Sequence, residues 1–480
     1  MNSHHRFGDD DAASTSNRWP KDRPAYASLH AAVQGEASRW NVPGIAAGFI
    51  RDGKMDVQVT GTTSLETGFP VTNDTLFQIG SISKIFTTTL VMRLVDQGKI
   101  ELDAPFTTYV DDVPLANEEA RNSITVRQLL SHTSGFEGDR FIDYGRGDDS
   151  LTKSIAAFDT LRQWFVPGSL WSYNNAGFYL AGYIIEKITG KTFEEAMEEE
   201  IFKPLGLERT CLLPEYAMTY AHAVGHDVDR EKGPEIVRPF TYSRHIAAAG
   251  AIISSVSDML RFAQMHMNDG ELDGERIISA ASAQEMRKFV AKTTNSGDIF
   301  GNSYGTGWAR WEYGDTLVVG HGGSIAGFRA QLWLVPEKQW AFVVLTNGST
   351  GSRAMSELKE WAFSREVGLT QPKPETVELS DAQLQRHAGT YLRHDGKLEV
   401  SVANGGLLFR QQSIDEKSGE PKGEPSDIEV QPLGENSFQI VSPPEAYGSV
   451  VEFFSHPAPD GTNQDLIRLG GRLASRDNEG

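Results

Sequence analysis

From Val42 onward the pattern of apolar and polar positions turns strand-like. Ile45 to Ile50 is apolar, Arg51-Asp52-Gly53-Lys54 has turn composition, and Met55 to Thr60 alternates. That pattern predicts a β-hairpin. The period changes after Ser81. Phe86, Leu90 and Leu94 recur every four residues beside Ile85 and Val91 until Gly98, which predicts an amphipathic helix closed by glycine. Residues 117–270 read as mainly helical, with segments at Ala176–Thr189, Phe193–Phe202 and Ser257–Asn268. Strands return at Leu317–Gly320, Ala330–Val335 and Ala341–Thr346, the last two joined by a Pro336-Glu337-Lys338 turn, and a helix is expected near Arg353–Phe363. Strands at both ends of this region and helices between them predict an α/β (α+β) fold: one sheet built from both chain ends, with a helical lobe inserted.

Composition shifts at Gln371-Pro372-Lys373-Pro374, a linker by its prolines. Beyond it, Leu398–Val402, Leu407–Gln411, Ile428–Val430, Phe438–Val441, Val450–Phe454 and Leu466–Leu469 read as short strands at hairpin spacing. An all-β sandwich or barrel follows. Residues 1–23 are polar and expected to be a disordered tail. The expected organisation is therefore a tail over 1–23, a mixed domain over 24–370 and a β domain over 375–480. There is no internal repeat, and low complexity is mild, around Glu416–Glu424.

At 480 residues the chain is long for one domain, which agrees with two. Acidic residues number 65 against 45 basic ones, a formal net charge of -20. Without a basic run, such a surface repels nucleic acid, and the charge reads as solubility. Cys211 is the only cysteine, so no intrachain disulfide forms, in keeping with a reducing compartment. The first residues lack an apolar stretch and carry Asp9, Asp10 and Asp11, unlike a secretory signal. No apolar run is long enough to span a bilayer. Cytoplasm is the default expectation, with a removed export signal left open.

The candidate chemistry centres on Gly80-Ser81-Ile82-Ser83-Lys84. Ser-x-x-Lys recurs at Ser150 to Lys153, in an acidic turn where the serine is expected to cap a helix, and at Ser356 to Lys359, inside an expected helix with the lysine on its surface. Ser81 differs because a glycine precedes it and a well-patterned helix follows. At a helix start, residues i and i+3 share a face, so the Lys84 amine reaches the Ser81 hydroxyl. The positive end of the helix and burial both push Lys84 towards a neutral amine that accepts the serine proton. Taken alone, the motif reads equally as a solvated lysine on an ordinary first turn.

A second piece is Trp171-Ser172-Tyr173-Asn174-Asn175, following Pro167-Gly168. Tyr173 offers a phenol as proton carrier, and Asn175 an amide to orient substrate. A phenol near pKa 10 is a poor base unless a cation such as Lys84 stabilises its anion. The third piece, Gly320-His321-Gly322-Gly323-Ser324, comes directly after the strand Leu317–Val319. Its glycines let a substrate approach the backbone, and the Ser324 and Ser81 N–H groups are candidates for an oxyanion hole. His321 is a candidate partner for the tyrosine or the substrate. Singly, each of these two pieces reads better as a turn.

Together, Ser81-x-x-Lys84, Tyr173-x-Asn175 and His321-x-Gly323 resemble, in order, the motifs of the serine β-lactamase and penicillin-binding-protein superfamily. The class C β-lactamase-like branch, with its esterases and D-aminopeptidases, is the most similar part. Connecting text is similar too, from Ile124 to Gly135, at Pro167-Gly168 and from Tyr304 to Trp308, so the resemblance covers roughly residues 25–367. It implies a sandwich of an antiparallel sheet and helices with an all-helical lobe, the site between them. It also implies an acyl-serine mechanism. Ser81 would attack a carbonyl, Lys84 and Tyr173 would move its proton, Asn175 would contact the substrate or the lysine, and the Ser81 and Ser324 amides would hold the oxyanion. Relatives acting on β-lactams and cell-wall peptides usually carry lysine where His321 stands, so histidine points towards the D-aminopeptidases and related hydrolases. Residues 375–480 resemble, loosely, the lipocalin-like barrel appended to several of these hydrolases, most clearly from Leu384 to Tyr391. In relatives such a barrel shapes the site mouth or mediates assembly.

The expected activity is hydrolysis of an ester or amide bond in a small molecule or peptide, without cofactor or metal. A peptidase acting on unusual peptides and a non-catalytic ligand-binding or structural relative are the alternatives. The partner is the substrate, not nucleic acid or membrane, and homo-oligomerisation is left open. His222 and His226 have metal-ligand spacing on a helix that Gly225 would interrupt, and no third ligand is near in sequence. His132 is expected to pack at a helix end, Cys211 to be a small buried residue, and Tyr304 and Trp308 to pack or line the pocket.

Overall fold

The protein is described by a computed structural model over residues 24–229, 232–240, 243–294, 300–371, 374–415, 418–443, 446 and 448–477. The expected tail over 1–23, Pro372 and Lys373 of the expected linker, and Glu416 and Lys417 of the low-complexity stretch lie outside the described residues.

Five helices frame the first lobe: α1 (Leu29–Arg39), α2 (Ser83–Asp96), α3 (Ala176–Thr189), α4 (Val256–Met267) and α5 (Gly351–Ala362). Its main sheet holds β1 (Gly44–Arg51), β2 (Lys54–Gly61), β3 (Ala291–Lys292), β4 (Ser303–Tyr304), β5 (Ala309–Tyr313), β6 (Thr316–Ile325), β7 (Phe328–Val335) and β8 (Trp340–Thr346). The spatial order is β3-β4-β5-β6-β7-β8-β1-β2, antiparallel throughout. The two ends of the chain region therefore meet inside one sheet, where β1 pairs with β8 from Ile45 opposite Thr346 to Arg51 opposite Trp340.

Alternation along β8 explains the layers. Trp340, Phe342 and Val344 face α1 and α5, while Ala341, Val343 and Leu345 face the core shared with α4 and the helical lobe. A central strand covered on both faces reads as a continuous apolar run, as this one does. α2 runs through the larger core, with Ile85, Phe86, Leu90, Val91 and Leu94 fully buried.

Some expectations need correction. β6 continues through Ile325, so His321 to Ser324 lie in a strand and not in a turn after it. Glycines lower strand propensity, but pairing of β6 with β5 and β7 overrides it here. The mainly helical stretch also contains a hairpin, His226–Asp229 with Gly233–Ile236, and two-residue strands at Thr210–Cys211 and Ile253–Ser254 that pair with Phe77–Gln78 or each other. Elements this short carry no readable period. His226 is thus in a strand, its Nδ1 bonded to the Asn347 carbonyl at 2.9 Å, and the helical metal spacing with His222 does not arise. Ser150 caps nothing, since its hydroxyl donates to the Gly145 carbonyl at 3.0 Å. Lys359 is buried along α5 and not on the helix surface.

The C-terminal part closes into an antiparallel eight-stranded barrel: β9 (Gly389–Arg393), β10 (Gly396–Ala403), β11 (Gly406–Ile414), β12 (Pro421–Pro432), β13 (Ser437–Ser442), β14 (Val450–Pro457), β15 (Asn463–Leu469) and β16 (Arg472–Arg476). The polarity pattern missed β9 and β16, whose pairing with each other closes the barrel. Tyr391, Phe409, Phe438 and Phe453 fill its interior together with branched aliphatic side chains. The barrel seats on the first lobe through Trp164 and Phe165 packed with Leu466 and Leu473. Gln464 Nε2 donates to the Trp164 carbonyl at 2.6 Å, and Arg468 donates to the Thr293 carbonyl at 2.8 Å. Among the described residues, no helix is long and apolar enough to cross a membrane.

Candidate active site

Ser81 sits on a single 3-10 turn, Gly80–Ile82, that feeds directly into α2. The turn is held from below. Ser83 Oγ donates to the Gly80 carbonyl at 2.7 Å and accepts from the Ile252 N–H at 3.1 Å. Glycine is required beside Ser81. Gly80 has φ +52°, and a Cβ there would stand 2.8 Å from the Ser324 nitrogen. From the other side, a Cβ on Gly323 would stand 1.9 Å from the Ile79 carbonyl oxygen and 3.2 Å from the Ser81 nitrogen. Strand β6 and the turn thus pack backbone against backbone, which places the Ser81 and Ser324 amides beside each other. Gly323→Ala is expected to lower activity by about 10²-fold or more, since losing one oxyanion donor costs that much. Steady-state kinetics on purified, folded variant checks it; activity within threefold of wild type would mean that this approach is unnecessary.

Lys84, in the first turn of α2, is fully buried. Its Nζ lies 3.1 Å from Ser81 Oγ, 2.7 Å from Asn175 Oδ1 and 2.8 Å from the Ala249 carbonyl. Burial, reinforced by the Arg472 cation, drives its pKa well below the usual lysine range, against the pull of Asp139. A neutral amine has two hydrogens and one lone pair. The Asn175 and Ala249 oxygens take the hydrogens, and the lone pair is left for the Ser81 hydroxyl.

Tyr173 and Asn175 lie just ahead of α3. Asn174 anchors that start: its Nδ2 donates to the Phe136 carbonyl at 2.6 Å and its Oδ1 accepts the Gly177 N–H at 2.7 Å. Asn175 is thereby free to point at Lys84. The Tyr173 phenol lies close enough to Ser81 for that hydroxyl to favour its ionised form, and Lys84 Nζ stands 4.9 Å from its ring centre. Burial pushes the phenol pKa up, although the nearby Ser81 hydroxyl and the Arg472 cation oppose that rise. Both shifts favour the uncharged forms at rest, a neutral amine beside a neutral phenol.

His321 donates from Nδ1 to the Gly322 carbonyl at 2.6 Å, which leaves Nε2 as an acceptor, buried and without a partner among the described residues. Burial, with Lys84 nearby, pushes its pKa down to about 3, so the ring is uncharged near neutrality. Its ring centre is 6.1 Å from that of Tyr173. His132, as expected, packs at a helix end, with Nδ1 accepting the Asn174 N–H at 3.0 Å. Tyr304 packs between His132 and His321, Trp308 is fully buried against His266, and burial pushes the Cys211 thiol up to about 12.

Two residues escaped the sequence reading. Asp139 Oδ1 accepts from Asn175 Nδ2 at 2.5 Å, and its Oδ2 accepts from Arg472 Nε at 2.7 Å. Burial works to raise the Asp139 carboxyl, but the Arg472 cation outweighs it and holds the group below the usual carboxylate range. Arg472 comes from the barrel, at the tip of the β15–β16 hairpin, and stacks 4.7 Å from the Tyr173 ring centre. Gly470 and Gly471 both have positive φ, a two-residue turn tight enough to enter the site, where the Gly471 carbonyl accepts the Tyr173 N–H at 2.8 Å. The Gly-Gly pair signals a hairpin in sequence, but nothing there says where its tip goes. A cavity of about 880 Å³, lined among others by Glu194, Phe202, Arg209 and Tyr216, opens elsewhere and includes none of these groups. Chemistry, not volume, selects the site. Among the described residues, no cluster of side chains could hold a metal ion.

A family model described as Beta-lactamase matches residues 30–364. Penicillin-binding protein 4 of Amycolatopsis lactamdurans is 33% identical over 360 residues, 74% of this chain and 94% of that protein. A D-aminopeptidase of Brucella anthropi is 26% identical over 393 residues, 79% of this chain and 69% of that protein. The crystal structure of SurE with D-Leu aligns with a TM-score of 0.72 at 26% identity, over 93% of this chain and 98% of that one.

Proposed function

Because this chain belongs to the beta-lactamase family and is a serine hydrolase, we propose that it cleaves an amide bond of a small peptide or amino-acid amide through an acyl-Ser81 intermediate. The contact of 3.1 Å between Ser81 Oγ and a buried, uncharged Lys84 carries this reading. Ser81 Oγ attacks the substrate carbonyl carbon as its proton passes to Lys84 Nζ. The Ser81 and Ser324 N–H groups hold the oxyanion. Tyr173 gives its hydroxyl proton to the leaving nitrogen and is reprotonated from Lys84; the C–N bond breaks and the amine leaves. Water then attacks the acyl carbon by the reverse route, and the acid is released. Asn175 positions Lys84 throughout.

His321 supplies an acceptor and no charge, so it favours a substrate N–H or O–H over a carboxylate. The similarity to a D-aminopeptidase and to a structure holding D-Leu favours a D-residue on the substrate. Tyr173→Phe is expected to lower kcat by about 10²-fold or more, the range of a lost proton carrier. Intact-mass trapping across D- and L-amino-acid amides, short peptides, unactivated esters and a lactam tests the reading. Mass addition at Ser81 with D-amides is expected. Adducts from esters alone would make the protein an esterase, and failure of a fluorophosphonate to label Ser81 would point to a non-catalytic relative.

A further inference from the structure

We infer that the C-terminal barrel sets the ionisation of the catalytic lysine: Arg472 is a positioning residue acting on Lys84 through Asp139 and Asn175. The path is continuous. Arg472 Nε reaches Asp139 Oδ2 at 2.7 Å, Asn175 Nδ2 reaches Asp139 Oδ1 at 2.5 Å, and Lys84 Nζ reaches Asn175 Oδ1 at 2.7 Å. Each link fixes the orientation of the next. An amide whose Nδ2 is held by a carboxylate must present its Oδ1 to the lysine. Asp139 is 8% exposed, so an uncompensated carboxylate there would be costly, and Arg472 is the cation bonded to it.

The charged and titratable groups around Lys84 come from every element packed there: Arg472 from the barrel hairpin, Asp139 and His132 from the loop after residue 130, Tyr173 ahead of α3 and His321 on β6, with Tyr304 on β4 behind His132 and His321. Arg393, Asp395 and the His394–Glu137 pair surround Asp139 and Arg472 in turn. The tyrosines and histidines are neutral at working pH, because burial moves all four pKa values away from it. Arg472 and Asp139 are therefore the fixed charges that bear on Lys84, and they act with opposite signs. The barrel interior is filled with its own side chains, so its hairpin tip, not an internal cavity, is what it offers the site.

The inference rests on the hydrolase reading above, and the test separates the two. The rate at which a fluorophosphonate labels Ser81 is measured against pH in the full-length protein. Its acid limb reports protonation of the base. Arg472→Gln removes a cation that disfavours Lys84-H⁺, so the limb is expected to move up by at least half a pH unit. Asp139→Asn removes an anion that favours Lys84-H⁺, so the limb is expected to move down. Arg472→Lys keeps the charge and is expected to keep the limb within 0.2 units of wild type; it serves as the comparison if Arg472→Gln does not fold. A purely structural role would lower the rates of both variants without opposite displacements. Limbs that stay put, or move the same way in the Arg472→Gln and Asp139→Asn variants, overturn the inference. No labelling of the wild type at any pH overturns the hydrolase reading instead.

Discussion

Ser81→Ala is expected to abolish turnover, with kcat at least about 10³-fold below wild type, while leaving melting temperature and circular dichroism unchanged. The hydroxyl is on the solvent side of a turn whose internal bonds belong to Gly80, Ser83 and Ile252. Removing it therefore takes away the proposed attacking atom and none of the contacts that hold the turn. The same variant should fail to gain mass from any substrate that acylates the wild type. Near-normal turnover would move the nucleophile elsewhere and remove the reason for a buried lysine at its side.

Lys84→Met is expected to cost about 10²- to 10⁴-fold in kcat, the range for a lost general base, and to change how stability depends on pH. Methionine keeps much of the volume and does not titrate. In the wild type, the folded Lys84 pKa lies well below the unfolded value of about 10.4 because burial disfavours the charged form. Between those two values the unfolded chain binds a proton that the folded one does not. The wild type is therefore at its greatest disadvantage below the folded pKa. It gains stability relative to the variant as pH rises through the window, until about 10.4. Chemical denaturation of both proteins from pH 6 to 10 measures this. A difference in unfolding free energy that is independent of pH would mean that Lys84 is charged in the fold, and the proton-accepting role would be lost with it.

Legibility along the chain followed the length of each periodic signal. Helix α3 was readable to the residue, because its apolar positions repeat over four turns and Gly190 closes it in the left-handed region, φ +69°. The first hairpin and strands β7 and β8 were readable for the same reason, and so was the end of α2 at Gly98. Two-residue strands such as Ile253–Ser254 were not, although they pair beside the Ser81 turn. The β6 strand was cut short at Gly320 because three glycines in five residues look like a turn. In the fold a side chain at Gly320 would collide with Leu332, and one at Gly323 with Ile79 and the Ser81 turn.

The same division runs through the site. Ser81 and Lys84 are three residues apart on one helix start, and local geometry alone brings them within reach of each other. Tyr173, Asn175 and His321 were found because residue types with complementary chemistry stood in an ordered pattern. Their meeting, and the neutral state of Lys84, come from burial that no short stretch of sequence encodes. Asp139 and Arg472 lie 333 residues apart. A carboxylate after Gly138 and an arginine after a glycine pair are ordinary in sequence. Only docking of the barrel on Trp164 and Phe165 carries one to the other. Sequence by itself thus determined the helix that presents the hydroxyl and amine, and the chemical types available around them. Tertiary structure decided which charges surround that amine, because electrostatic effects depend on distance and burial, and both are properties of the packed chain.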